Sequence, residues 1–89
     1  MAHRRLRIVN IKGLHARASA RLVEVVEGFD AQATVSKDGT STSGDSIMGL
    51  LMLAAGKGSE IEVETEGPEA DRLADAIAAL VADRFGEED

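Results

Sequence analysis

The chain has 89 residues, fewer than the roughly 150 of an average domain, so residues 1–89 are predicted to form a single domain. Sixteen acidic and ten basic side chains give a formal net charge of −6, which disfavours nucleic acids and anionic membranes as partners. Cysteine is absent, which excludes disulfides, iron–sulfur clusters and thiol nucleophiles, and no apolar run resembles a secretory leader or a membrane span, so we expect a cytoplasmic protein.

Two periodicities predict seven secondary-structure elements. Alternating polar and apolar residues indicate half-buried strands, and apolar residues three or four positions apart indicate amphipathic helices. In chain order the elements are a strand from Arg5, a helix over about Ala16–Glu27, strands at Ala31–Lys37 and Thr40–Ser43, a helix over Ile47–Ala55, a strand at Glu60–Glu66 and a helix ending near Phe85. Pro68 is predicted at the first position of the last helix, and Gly56 after the end of the second.

The order βαββαβα predicts an α+β fold, an open-faced β-sandwich. In the last strand every second residue is a glutamate, at positions 60, 62, 64 and 66, so one face of the sheet is expected to be solvated. We therefore predict a four-stranded antiparallel sheet with all three helices on the other face. The glutamate row is interpreted as that solvated face, and neither a metal nor another cofactor is predicted. The acidic tail from Gly86 onward is expected to fray.

The segment GLHARASA, at positions 13–20, carries the strongest sign of chemistry. His15 lies at the turn into the first helix, Arg17 follows two residues later, and small residues surround both. The first amides of a helix lack internal partners and lie at the positive end of the helix dipole, so the backbone of Ala16, Arg17 and Ala18 is predicted to bind an anion such as a phosphoryl group. An unprotonated ring nitrogen of His15 could attack phosphorus, and Arg17 could neutralise the arriving charge.

Two motifs together resemble a known family. GLHARASA is similar to the active-site segment of the histidine-containing phosphocarrier (HPr) family of the bacterial phosphoenolpyruvate-dependent phosphotransferase system, and DSIMGLLMLA, at positions 45–54, is similar to its regulatory-serine segment. The resemblance covers the whole chain and is strongest to the α-proteobacterial, nitrogen-related type. It implies that His15 accepts a phosphoryl group on Nδ1 from Enzyme I and passes it to a histidine of an Enzyme IIA protein. Such a carrier is not an enzyme.

The same resemblance implies a regulatory site and a docking surface. Ser46 would be the phosphorylation site of a kinase such as HPr kinase/phosphorylase, although serine is also a common helix N-cap. Partners would dock on an apolar patch beside His15, which we predict to comprise Ala20, Ile47, Met48, Leu51 and Met52. The family's strand order, together with charge, places the first strand beside the last, with Arg5 and Arg7 across from the glutamates. A monomer is expected.

Some positions depart from the family pattern, and one alternative function stays open. Ala18 stands where many members have proline, and Lys12 where a polar uncharged residue is frequent. Glu24 and Glu27 lie on the first helix, where sugar-transporting members are often basic. The alternative function is a regulatory binding module switched by phosphorylation of Ser46, without phosphoryl transfer through His15.

Overall fold

The computed structural model describes residues 1–87, and the part of the predicted frayed tail formed by Glu88 and Asp89 lies outside this range. The elements are β1 (Ala2–Arg7), α1 (Ala16–Glu27), β2 (Gln32–Lys37), β3 (Thr40–Ser43), α2 (Ile47–Met52), β4 (Glu60–Glu66), α3 (Ala70–Ala82) and a 3₁₀ turn (Arg84–Gly86). Within this range, no helix is both long enough and apolar enough to cross a membrane. The predicted α+β order is confirmed.

The four strands form one antiparallel sheet in the order β1-β4-β2-β3. Arg5 of β1 pairs with Glu62 of β4, and Arg7 pairs with Glu60, as the resemblance implied. The side chains of His3 and Arg5 both reach the Glu62 carboxylate, at 3.3 and 3.5 Å. Because an exposed ion pair such as Arg5–Glu62 contributes only about 0.2–1 kcal/mol, its main effect is to reduce repulsion within the glutamate row.

The opposite face of the sheet carries the core. Alternate strand residues are buried there against the helices, and the period-2 pattern of β4 continues without a break through Ile61, Val63 and Thr65. The largest fully buried apolar side chains join strands, helices and loops in one cluster: Ile8, Leu22, Leu50, Ile61, Leu73, Ile77 and Phe85. This layer holds the start of α1 beside the end of α2.

Helix α2 is shorter than predicted. It ends at Met52, and the prediction that it continues to Ala55 is wrong. The amides of Leu53 and Ala54 bond three residues back, and Ala54 adopts a left-handed conformation with φ of +53°. This turn brings the carbonyl oxygen of Ala55 to the amide of Leu14, at 2.9 Å. A bond to a distant loop therefore ends the helix before Gly56 can.

Helix α3 differs from prediction at both ends. It begins at Ala70, two residues after Pro68, and it stops at Ala82. Arg84 and Phe85 then adopt φ values of +56° and +54°, which turns the Phe85 ring into the core, where it is fully buried. The expected fraying does not apply to Gly86 and Glu87, since Gly86 belongs to the 3₁₀ turn and the Glu87 side chain is engaged by two residues.

Candidate functional site

His15 occupies the N-cap position of α1. Its backbone is extended, with φ of −76° and ψ of −178°, and its carbonyl oxygen accepts the first helical hydrogen bond, from Ser19 at 2.9 Å. Its side chain does not cap the helix, and 27% of its surface is exposed. The imidazole is thus anchored at its backbone and accessible at its ring.

The predicted anion-binding residues follow directly. Ala16, Arg17 and Ala18 form the first turn of α1, where backbone amides have no acceptor within the helix. Ala16 and Arg17 are exposed, whereas the Ala18 side chain is fully buried and anchors the turn to the core. Among residues 1–87 the Arg17 side chain has neither a hydrogen bond nor an ion pair. Its guanidinium is therefore available to an incoming anion.

The loop before His15 is held in place by close backbone packing. Gly13 has φ of +63°, and a Cβ atom at this position would lie 2.2 Å from the carbonyl oxygen of Ala55. Glycine is therefore required both for the backbone conformation and for the close approach. The neighbouring bond from the Leu14 amide to Ala55, together with the 3.2 Å bond from the Ser19 hydroxyl to the Leu14 carbonyl, fixes the position from which His15 extends.

Two residues of the site were not predicted from the sequence. The Glu87 carboxylate contacts Nε2 of His15 through one oxygen, and its other oxygen accepts a 2.9 Å hydrogen bond from the side-chain amide of Asn10. Asn10 is fully buried, although it lies just beyond β1. The sequence did indicate that Asn10 could be buried. Ala2, Leu6 and Ile8 face the core, and the same alternation continued beyond β1 reaches position 10.

Ser46 occupies the N-cap position of α2. Its hydroxyl accepts a 3.1 Å hydrogen bond from the amide of Gly49, and its carbonyl oxygen accepts one from Leu50. The cap that the sequence allowed for Ser46 is therefore formed. Ser46 is half-buried, and the next two residues, Ile47 and Met48, are exposed.

The five predicted docking residues differ in exposure. Met48 and Met52 are 69% and 78% exposed and Ile47 is 40% exposed, whereas Leu51 and Ala20 are half-buried. An open groove, lined by Lys12, Leu14 and His15 on one side and by Leu51 and residues 54–56 on the other, connects His15 to the end of α2. Of the five residues, Leu51 lines this groove beside His15, and the docking role of the patch stays a prediction.

Comparisons with known proteins agree on one family. A family model described as "PTS HPr component phosphorylation site" matches residues 2–83. The chain belongs to the HPr family. Among curated proteins, it is 47% identical over 87 residues to the phosphocarrier protein HPr of Cupriavidus necator, with 98% of each chain covered. It is also 40% identical over 82 residues to the phosphocarrier protein NPr of Escherichia coli, with 91% of each covered.

Solved HPr structures share the fold as well as the sequence. An HPr from Thermoanaerobacter tengcongensis superposes with a TM-score of 0.94 at 33% identity, with 99% of both chains covered. An HPr from Bacillus anthracis gives a TM-score of 0.86 at 38% identity, over 90% of this chain and 95% of that one. The family predicted from the two motifs and the open-faced α+β fold are both confirmed. The individual roles of His15, Arg17 and Ser46 stay predictions.

Proposed function

We propose that this protein carries phosphoryl groups within a phosphoenolpyruvate-dependent phosphotransferase system, as one domain over residues 1–89. His15 accepts the group from the phosphohistidine of Enzyme I and donates it to a histidine of an Enzyme IIA protein. The protein acts as a cytoplasmic monomer and as a substrate of Enzyme I, and it is not a catalyst in its own right. It needs neither a metal nor a cofactor for this step.

The transfer is an exchange of one phosphorus–nitrogen bond for another. The lone pair on Nδ1 of His15 attacks phosphorus, and the bond between phosphorus and the donor histidine breaks, returning its electron pair to the donor ring. The transferred group carries its negative charge toward the start of α1, where the amides of Ala16, Arg17 and Ala18 and the Arg17 guanidinium can bind its oxygens. Positioning and charge stabilisation are the main requirements of phosphoryl transfer.

One observation carries this proposal, namely that the partly exposed His15 ring stands at the N-cap position of α1 without capping the helix. An N-cap side chain normally occupies one of the free amides. Here the residue at that position is itself the nucleophile, so the amides stay available to the group that it receives. The shared family with proteins named phosphocarriers supports the same reading.

Partner docking is assigned to the apolar patch formed by Ala20, Ile47, Met48, Leu51 and Met52. Exposed apolar side chains next to a reactive residue favour a protein partner that is itself apolar at that point. Flexible methionine side chains suit a surface that must fit at least two different proteins in turn, first the donor and then the acceptor.

We further propose that phosphorylation of Ser46, by a kinase such as HPr kinase/phosphorylase, regulates docking. A phosphate on the Ser46 hydroxyl would add a charge of about −1.5 to −2 directly beside Ile47 and Met48. The alternative function, a binding module switched by Ser46 alone, rests on the same position. The two functions differ in whether His15 exchanges phosphoryl groups.

The deciding experiment incubates the protein with Enzyme I and phosphoenolpyruvate and then locates the phosphate. We expect one acid-labile, base-stable phosphate per chain, with a ³¹P signal typical of Nδ1-phosphohistidine and a peptide map that assigns it to His15. Omission of Enzyme I should abolish labelling. A folded protein that is not labelled under these conditions would favour the regulatory module and contradict the carrier function.

A further inference from the structure

The Glu87 carboxylate connects a buried amide to the proposed nucleophile. One oxygen contacts Nε2 of His15, and the other accepts the 2.9 Å hydrogen bond from Nδ2 of Asn10. Only 11% of the Glu87 side chain is exposed, compared with 27% of His15. The carboxylate is therefore fixed between two side chains and largely withdrawn from solvent.

Asn10 is oriented by its surroundings. Its Nδ2 donates to the carbonyl oxygen of Gly13 as well as to Glu87, both at 2.9 Å. Because both neighbours can only accept hydrogen bonds, only the NH₂ end of the amide satisfies them. Its Oδ1 is buried and has no hydrogen-bond partner among residues 1–87. A buried oxygen without a hydrogen bond destabilises the folded state. Such atoms in native proteins are often retained for a functional reason.

The segment after α3 is shaped to deliver Glu87 to this place. Past the end of the helix, the left-handed conformations of Arg84 and Phe85 reverse the chain, and the fully buried Phe85 ring anchors the reversal. Gly86 continues with φ of +77°, and the Glu87 amide bonds the Arg84 carbonyl at 3.0 Å. Three consecutive positive φ values, two of them at non-glycine residues, are a backbone cost that serves to position the Glu87 side chain.

We propose that Glu87, held by Asn10, is a positioning residue that sets the protonation pattern of His15. A carboxylate accepts hydrogen bonds and cannot donate them, so its contact with Nε2 requires the ring proton on that nitrogen. A neutral imidazole carries only one N–H, and Nδ1 is then left with its lone pair. The inference rests on the proposed function in one respect, because that function makes Nδ1 the atom that attacks phosphorus.

The same contact stabilises the product. When Nδ1 forms its bond to phosphorus while Nε2 keeps its proton, the ring gains positive charge. The Glu87 carboxylate lies against that proton and can balance the charge, while the negative phosphoryl oxygens are bound on the other side by the start of α1. Glu87 and Arg17 thus act on opposite charges of one phosphohistidine.

The first test is made on the unphosphorylated protein, so it does not depend on Enzyme I. In ¹⁵N NMR spectra of the wild type, we expect the His15 ring to show Nε2 protonated and Nδ1 unprotonated, with a slowly exchanging Nε2 proton. Glu87→Ala and Asn10→Leu should lose the slow exchange and mix the two tautomers. Glu87→Gln can still accept the hydrogen bond through its amide oxygen and should retain most of the pattern. Glu66→Gln, an exposed position on β4, is the matched control.

The second test measures single-turnover phosphorylation by Enzyme I. In metal sites, loss of the carboxylate partner of a histidine typically costs 10- to 100-fold in activity. We expect a loss at the low end of this range, about tenfold, in Glu87→Ala and a smaller loss in Glu87→Gln, with the Glu66→Gln rate unchanged. Glu87→Ala keeps the test valid if Asn10→Leu does not fold. An unaltered tautomer pattern in Glu87→Ala would overturn the inference, and so would a faster transfer, since Glu87 would then cover His15 rather than assist it. If wild-type His15 is never phosphorylated, the proposed function fails, while the NMR result still decides the contact.

Discussion

The starts of α1 and α2 share an extended N-cap residue and differ in side-chain chemistry. His15 and Ser46 both occupy N-cap positions with extended backbones, and both carbonyl oxygens accept the first helical bond. Ser46 caps its own helix by accepting from Gly49, at 3.1 Å. The His15 side chain instead contacts Glu87, and it makes no capping bond to α1.

Helix length explains why the two starts can differ. Helix α2 has six residues, and a helix of that length is marginal without outside stabilisation, so the Ser46 cap matters to it. Helix α1 has twelve residues and buries Ala18, Leu22 and Val26 in the core, which lets it forgo a cap worth about 1 kcal/mol. A helix secured by packing can therefore leave its first amides free for a ligand.

The largest expected effect comes from removal of the His15 ring. His15→Ala should lose all phosphorylation by Enzyme I and still fold, since the side chain caps nothing. His15→Ser also lacks the ring but restores a capping hydroxyl, so it should be inactive and about 1 kcal/mol more stable than His15→Ala in urea unfolding. An acid-labile phosphate on His15→Ala, or equal stability of the two variants, would contradict this difference between the helix starts.

The next effect concerns the charge on the first turn of α1. Arg17→Ala should slow transfer from Enzyme I by about 100-fold without abolishing it, because one donor is lost while the backbone amides remain. Arg5→Ala, on the open face of the sheet, is the matched control and should transfer at the wild-type rate. The rates are measured by rapid quench at saturating phosphoenolpyruvate. Equal slowing of both variants would show that overall charge, not the position of Arg17, matters.

At α2 the expected effects are on stability and docking. Ser46→Ala should lose about 1 kcal/mol of stability and still accept phosphate on His15, because it removes only the cap. Ser46→Asp should keep the cap and the melting temperature, while its charge beside Ile47 and Met48 weakens Enzyme I docking and slows transfer. The measurements are melting curves and the concentration dependence of the transfer rate. If both Ser46→Asp and the protein phosphorylated on Ser46 accept phosphate at the wild-type rate, Ser46 does not regulate docking.

The smallest expected effect concerns the start of α3. Like His15 in α1, the N-cap residue of α3 makes no capping bond with its side chain. The Glu69 carboxylate accepts from the Asp30 amide at 2.8 Å and from Arg72 at 3.1 Å, and the Asp30 bond, more than the Arg72 charge, lowers the pKa of Glu69 below its usual 4.5. A lowered folded-state pKa adds stability above the unfolded value, and that stability is lost as pH falls through the folded pKa.

Glu69→Gln should therefore be slightly less stable than wild type at neutral pH, and the two should converge in acid as the pH falls through the lowered pKa of Glu69. Urea unfolding at a series of pH values provides the measurement, with Glu66→Gln as an exposed control. If the difference in unfolding free energy between the two proteins does not change with pH, the charge on Glu69 does not stabilise the start of α3.

The sequence predicted the elements whose causes are local. The alternation over Glu60–Glu66 and the apolar spacing over Ala16–Glu27 depend only on neighbouring residues, and both ranges are confirmed. The predicted end of α2 was wrong because the actual end depends on the tertiary hydrogen bond from the Leu14 amide to Ala55. The prediction that the last helix continues to about Phe85 was also wrong, because burial of the Phe85 side chain overrides the helical pattern.

The site follows the same division. The sequence motif placed His15 and Arg17 on one helical turn, as observed. The contacts of Glu87 with Asn10 and His15 join residues 77 and 72 positions apart, and nothing in the local pattern of an acidic segment indicates such partners. Of the two missed residues, only Asn10 carried a local sign, as a polar residue in the inward phase of β1.

The most direct test of the uncapped helix start is the amide spectrum of the protein before and after phosphorylation by Enzyme I. If the first turn of α1 binds the phosphoryl group, the ¹H–¹⁵N signals of Ala16, Arg17 and Ala18 should shift most. The Gly49 amide, which is already bonded to Ser46, should barely move. A phosphorylated His15 with shifts at residues 16–18 no larger than that of Gly49 would contradict the proposed role of these amides.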